Sequence, residues 1–436
     1  MMSIGKQSQS KVGFADLYLE RYGSGSVKDL PSPDPDLFLI VAIPAYKEPD
    51  LAGSLISLLA CDLPGVKWEI LININYPENS GSDVVETSRG SLAAALQISR
   101  DLSRVDVMIH CLYNPDMPAR HAGVGLARKM VMDEAIRRFN SIGRPDGLIL
   151  SFDADSSCNR NYLKTIAGFY QRHPGIRTAN IYFEHLLTGS FDPRIYRSIT
   201  QYELYLRYMK LATERTGHPH GIHTVGSSFS LRARTYIRVN GMGRDKAGED
   251  FYFLHKCILL KNFWEINETT VCPSVRESDR VAFGTGASVH RQMQTEDILT
   301  VYNLESFDPL AELFGRVGYY WRQITDNNDF DENWEAISAG LAEFMRTRNA
   351  SAKIQAMHRD SAGEQTFRDK FFAWFNGFMI LKYLNEVHGK YYLKASVVQE
   401  AARLGVFLGI EKAESPEGLL NHFRDFEKGR GNRKII

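Results

Sequence analysis

The chain has no C-x-x-C pair, and its five cysteines (Cys61, Cys111, Cys158, Cys257 and Cys272) are an odd number. That argues against a disulfide framework or a structural zinc site and makes a reducing cytoplasm the expected home. Net charge is lacking as well: Lys plus Arg and Asp plus Glu both number 52, so no global field recruits nucleic acid or anionic lipid. Any charge-based binding must be local. No run reaches the roughly 18 apolar residues of a membrane span, and Met1 to Ser10 lacks the apolar stretch of a secretory signal. The nearest approach, Phe371 to Leu384, is interrupted by Asn376, Gly377 and Lys382 and reads as a buried helix. Membrane contact is therefore expected to be peripheral at most, at the inner face. There is no internal repeat.

What is present is an ordinary globular composition, 44% hydrophobic and 24% charged, over 436 residues. That length exceeds one compact core and fits a catalytic domain with an appendage. Residues 1–36, rich in Gly, Ser and Pro, read as an N-terminal extension or linker, residues 37–294 as the catalytic domain, and residues 295–436 as a helical C-terminal region. Leu37 to Ile43 is a short apolar run closed by Pro44, as in a strand buried on both faces. After it, Leu51 to Leu59, Asp83 to Leu102 and Val124 to Phe139 carry helical spacing. Trp68 to Ile74, Val105 to Leu112 and Gly147 to Phe152 read as strands. The alternation predicts an α/β fold with a doubly wound, mostly parallel sheet, Rossmann-like, whose ligands sit at the carboxyl ends of the strands.

Residues just after each strand are therefore the candidates for chemistry. Asp153-Ala154-Asp155 follows the Leu148 to Phe152 strand directly, and two carboxylates at i and i+2 offer hard oxygen donors to Mg²⁺ or Mn²⁺. A metal held there would neutralise the charge on a leaving nucleoside diphosphate. Two other D-x-D triplets, Asp34-Pro35-Asp36 and Asp329-Phe330-Asp331, lie at no predicted strand end, so position discriminates. Pro44, Ala45, Tyr46 and Glu48 end the first strand, where backbone amides and a carboxylate could meet a base and ribose. Gly248-Glu249-Asp250 opens an apolar helix about a hundred residues later. An acidic pair suits a helix N-terminus, and it also supplies the carboxylate that deprotonates an attacking hydroxyl.

Together these segments resemble glycosyltransferase family 2, on the nucleotide-diphospho-sugar transferase fold called A. The family's opening P-x-Y-N-E is similar to Pro44-Ala45-Tyr46-Lys47-Glu48, and its G-x-x-x-A-R-N to Gly123 through Lys129, with Lys47 and Lys129 in the places of asparagines. The D-x-D matches outright, G-E-D matches Gly248 to Asp250, and Gly226 to Arg232 resembles the segment that borders the acceptor. The resemblance covers roughly residues 37 to 290. It implies a metal-dependent, inverting glycosyltransferase of hexosyltransferase type that uses a nucleotide-sugar donor and a carbohydrate or glycolipid acceptor, as in polysaccharide biosynthesis. Asp250 is the implied base with Glu249 in reserve, and Asp153 and Asp155 are the implied metal ligands. Glu48 would lie near the nucleoside, with Arg128 and Asp153 on the donor. Where family members end the second strand in two aspartates, this chain has Ile72-Asn73-Ile74-Asn75, so Asn75 offers the base an amide.

Arg276 to Gly286, with Arg280, Gly284 and Thr285, reads as a loop able to close over a diphosphate, and His290 as a candidate third metal ligand. His218, His220 and His223 support a rival reading, a zinc-dependent hydrolase, though Pro219 and Gly221 break the helix that such a site normally uses. In the transferase reading His223 is expected at the acceptor border. A sugar-nucleotide synthesising enzyme would need its phosphate loop right after the first strand, where Pro44 to Pro49 stands instead. A catalytically silent sugar-nucleotide-binding protein is the remaining alternative, against which the intact acidic residues speak. Tyr319, Tyr320, Trp321, Trp334, Trp374 and Phe375 sit at helical spacing and read as core.

Overall fold

The computed structural model describes residues 13–25, 30–277, 284–295, 298–327, 330 and 332–436. The elements run α1 (Asp16–Tyr22), β1 (Leu37–Ala45), α2 (Leu51–Leu59), β2 (Lys67–Pro77), α3 (Ser82–Asp101), β3 (Val107–Met117), α4 (Val124–Ser141) and β4 (Leu148–Ser151). There follow β5 (Ser157–Cys158), α5 (Tyr162–Arg172), β6 (Thr178–Phe183), α6 (Pro193–Arg215), β7 (Phe229–Arg232), α7 (Ala233–Arg238), α8 (Glu249–Ile258) and β8 (Phe263–Cys272). Helices then dominate: α9 (Thr285–Thr295), α10 (Asp308–Gly315), α11 (Val317–Asn327), α12 (Ala339–Arg346), α13 (Ala350–Arg359), α14 (Glu364–Trp374), α15 (Gly377–Val387), α16 (Val397–Leu408) and α17 (Pro416–Gly429). Among the described residues no helix is long and apolar enough to cross a membrane.

The chain divides into two compact units whose segments interleave in sequence. The first comprises residues up to Ser156 with Arg160–Thr178 and Gly226–Phe253. Its strands lie in the order β3-β2-β1-β4-β7, the first four parallel and β7 antiparallel to β4. The α/β, mostly parallel class is the one the sequence predicts. Every crossover from β1 through β3 steps one way along the sheet, and the crossover through α4 then returns to the far side of β1. With right-handed crossovers this reversal puts α4 on the opposite face from α2 and α3, and it makes the crevice between β1 and β4 the topological switch point. Nearly all of β1 and β2 is buried, as expected for strands covered on both faces.

The second unit comprises Ser157–Asn159, Ala179–Val225 and Leu254–Ile436. Strand β6 neighbours β8, and β8 pairs antiparallel with β5 and with the C-terminal pair Arg433–Lys434. Its core is helical: Leu204, Tyr208 and Leu211 of α6 pack with Leu310, Phe314, Phe371, Tyr383, Leu404 and Phe423.

This partition differs from the linear division at 36 and 294. The buried face of α6 finds its partners in α9, α16 and α17, so residues 179–225 fold with the C-terminal helices. At the other end, α1 is no linker. Tyr18 donates its hydroxyl to Asp133 Oδ1 at 2.7 Å, and Ser24 N donates to Asp133 Oδ2 at 2.7 Å, which ties the N-terminal segment to α4. Lys129 pairs with the same aspartate at 3.0 Å.

Candidate active site

The switch point is built by two strand ends. At the end of β1, Pro44 lies opposite Asn73 in the register and Ala45 is buried. The chain then turns through Tyr46 and Lys47. Lys47 has φ +47°, the left-handed region that an asparagine tolerates and a lysine does not favour. Its ammonium meets Asp83 at 2.7 Å. Glu48 is buried; its backbone carbonyl accepts from Ser91 Oγ at 2.5 Å and its carboxylate from Asp50 N at 3.3 Å. At the end of β4, Phe152 N donates to Ala42 O at 3.1 Å and Ser156 N to Asp153 O at 3.0 Å, which closes the D-x-D segment into a turn. Ser54 on α2 donates to the carbonyls of Ala154 and Ser156, each at 2.7 Å. The backbone between the two aspartates is thus fastened while both side chains stay half-exposed. Ser54 escaped the sequence reading; its only trace is a small polar residue on an apolar helix face.

Arg128, in the second turn of α4, gathers the acidic residues. It is 2% exposed; its Nη2 donates to Asp153 Oδ1 at 2.6 Å and its Nη1 to Glu249. One guanidinium thereby joins carboxylates that are almost a hundred positions apart in the chain. Two glycines allow the approach. A Cβ on Gly125 would fall 2.2 Å from Asp245 O, and one on Gly226 would fall 2.6 Å from Arg128 Nη2. Asn73 Nδ2 donates to Ala127 O at 2.8 Å, and Asn114 Nδ2 to Asn73 Oδ1 at 2.7 Å, so the second strand's first amide braces α4. Asn75 donates to Ala45 O at 3.1 Å and Asn73 O at 3.0 Å. Its amide N–H groups are spent on the chain's own carbonyls, which corrects the expectation that they present themselves to a base.

Glu249 and Asp250 open α8 after Gly248, whose φ of +73° suits glycine. Glu249 is buried against Arg128. Asp250 is half-buried, and desolvation pushes its carboxyl up to about 6, partly countered by the Arg128 charge and the Phe251 amide. A carboxylate with that proton affinity suits general base chemistry near neutral pH.

The remaining candidates lie in the second unit. His290 Nδ1 meets Glu277 Oε1 at 2.5 Å and its Nε2 accepts from Gln294 at 2.8 Å, so both ring nitrogens are engaged. Thr285 Oγ1 stands 3.5 Å from His185 Nε2, next to Gly284 with φ +105°. Arg280 lies outside the described residues, as do Asp329 and Asp331. The zinc reading fails on geometry. His218 uses Nε2 on Phe375 O at 2.7 Å and accepts His220 N on Nδ1 at 3.1 Å, while His223 meets Glu427 at 3.0 Å. Burial lowers His218 to about 3 and His220 to about 4, as suits neutral imidazoles packed edge to face. Among the described residues no group of three or more His, Cys, Asp or Glu is placed to hold a metal ion.

No protein-family model matches the chain, and no curated protein does. Solved structures similar to it include S. aureus TarS 1–349 in complex with UDP-GlcNAc, at 14% identity and a TM-score of 0.38 over 90% of this chain and 91% of that one. Another is the mannosyltransferase PcManGT from Pyrobaculum calidifontis in complex with GDP-Man and Mn²⁺, at 13% identity and a TM-score of 0.32 over 85% and 90%. At such scores the fold is read from the strand order itself.

Proposed function

We propose that the chain is a glycosyltransferase that moves a sugar from a nucleotide-diphosphate donor to an acceptor hydroxyl by single displacement with inversion. One observation carries the reading: at the switch point of a parallel sheet, Arg128 gathers the D-x-D carboxylate and the Glu249-Asp250 pair into one site. Glu249 is committed to the guanidinium, which leaves Asp250 as the base. Asp250 takes the acceptor's proton while that oxygen attacks the anomeric carbon, and the bond from that carbon to the diphosphate oxygen breaks. Asp155 and the solvent side of Asp153 are hard oxygen donors of the kind Mg²⁺ and Mn²⁺ accept, and one or two such carboxylates with substrate phosphates suffice for these ions. A divalent ion so held would stabilise the charge on the departing diphosphate. Glu48 and the main chain at Pro44 to Tyr46 would face the nucleoside, and the segment at Gly226 the acceptor, a carbohydrate or glycolipid. All five cysteines are unbridged, in keeping with a reducing compartment.

The test is thermal stability with UDP, GDP and dTDP, each with and without Mn²⁺, for the wild type and Asp155→Ala. A nucleotide that stabilises only with metal, and not in the variant, supports the reading; saturation about 100-fold above Kd contributes about 2.7 kcal/mol. No shift with any nucleotide would refute it.

A further inference from the structure

Arg128 matches a motif position expected on the donor, yet its surroundings give it other work. The side chain is 2% exposed. Glu249 holds Nη1 and Asp153 holds Nη2, and Nε is buried with no acceptor among the described residues. Gly226 forms a wall: a Cβ there would come within 2.6 Å of Nη2 and 3.0 Å of Cζ. That wall is fixed, because Ser151 Oγ donates to Gly226 O at 2.6 Å from the adjoining strand. The root of the side chain is fixed too, through the Asn73 amide on the Ala127 carbonyl at 2.8 Å. For a diphosphate to take this guanidinium, Glu249 would have to give it up and remain buried and unpaired, which is strongly unfavourable.

We infer that Arg128 is a positioning residue and not a donor ligand. Clamped by Glu249 and walled by Gly226, it fixes the orientation of the Asp153 carboxylate. An ionised carboxylate has about four lone-pair sites, so one hydrogen bond to Arg128 leaves others for a divalent cation. Gly226 is glycine because a side chain would displace the guanidinium from Asp153. This rests on the transferase reading and adds a division of labour to it: Arg128 acts on metal affinity through Asp153, and nucleotide contacts come from elsewhere.

Calorimetric titration with UDP and GDP, with and without Mn²⁺, separates the two roles in wild type, Arg128→Lys and Gly226→Ala. The wild type sets the metal-free Kd and the gain that Mn²⁺ brings. Both variants are expected to hold the metal-free Kd within about twofold and to lose about 10- to 100-fold of the Mn²⁺-dependent gain, the usual cost of removing a group that orients a metal ligand. Gly226→Ala retains every charged group, so it tests the wall even if Arg128→Lys folds poorly. Metal-free affinity that falls tenfold or more in Arg128→Lys would place Arg128 on the donor and overturn the inference while leaving the transferase reading intact. Gly226→Ala indistinguishable from wild type would overturn it as well. A wild type that binds no nucleotide under either condition removes the transferase reading, and the inference with it.

Discussion

Asp250 keeps its proton up to about pH 6 because burial penalises the carboxylate more than Arg128 favours it. Two consequences follow, with opposite signs. As the proposed base it would work only when ionised, so the transfer rate is expected to fall about tenfold per unit as pH drops below about 6, as a pH–rate profile at saturating donor would show. For stability the sign reverses. A carboxyl whose folded pKa is raised stabilises the fold below its unfolded value, and that contribution is lost as pH rises through the folded one. Asp250→Asn should therefore melt higher than wild type at pH 8, with the gap narrowing below about pH 6 and closing only as pH approaches the unfolded value of 3.8, while losing about 10²- to 10⁴-fold in rate. Lys47, at φ +47°, gives a second test: Lys47→Asn is expected to gain about 0.5–1 kcal/mol in chemical denaturation, since its exposed pair with Asp83 contributes little. At this scale the sequence was readable where a candidate follows a strand end, as Asp153 follows β4. It was unreadable where function is a relation in space. Nothing in the order of residues says that Arg128 lies between Glu249 and Asp153, or that Asn75 spends its amide on Ala45.

The D-x-D turn owes its shape to α2 as much as to its own strand. Replacing Ser54 leaves the Ala154 and Ser156 carbonyls short of a donor in a buried site. Ser54→Ala is expected to cost about 1–3 kcal/mol in urea unfolding and to weaken metal-dependent nucleotide binding, because the aspartates lose a fixed backbone. Periodicity located α2 residue for residue, Leu51 to Leu59, where an apolar face is buried, and α4 within two positions, although Arg128, Lys129, Asp133, Glu134 and Arg138 are buried along with its apolar residues. The stretch Phe371 to Leu384, read as one buried helix, spans the end of α14 and most of α15. The break is made by Asn376, whose side chain caps α15 by accepting from Phe378 N and Met379 N. Strand β8 went unseen because Glu265, Thr269 and Thr270 interrupt its apolar pattern; all three are buried, and Glu265 is paired with Lys210 and Arg433.

Over the whole molecule, the part furthest from legible was the charged interior of the second unit. Glu203, Arg207, Lys210, Arg424 and Glu427 are buried in one network joining α6 to α17, and in sequence they resemble solvated helix faces. Arginine and lysine charges hold Glu203 and Glu427 well below the usual carboxylate range despite burial. With folded values depressed, their stabilisation is present above about pH 4.5 and is lost as pH falls through the folded values, so melts should show acid unfolding below that point. Glu427→Ala would leave Arg207 and Lys210 buried without that partner and is expected to cost about 3–5 kcal/mol. The same interleaving defeats a cut at residue 294: a chain ending there would expose Leu204, Tyr208 and Leu211 and is expected to aggregate. The proposed transferase divides its labour, with the D-x-D aspartates serving binding and Asp250 serving transfer. Calorimetry with UDP and GDP in the presence of Mn²⁺ on wild type, Asp155→Ala and Asp250→Asn tests it most directly. Asp155→Ala is expected to lose the metal-dependent affinity and Asp250→Asn to keep it. Equal affinity in all three proteins, or no binding in any, would contradict it.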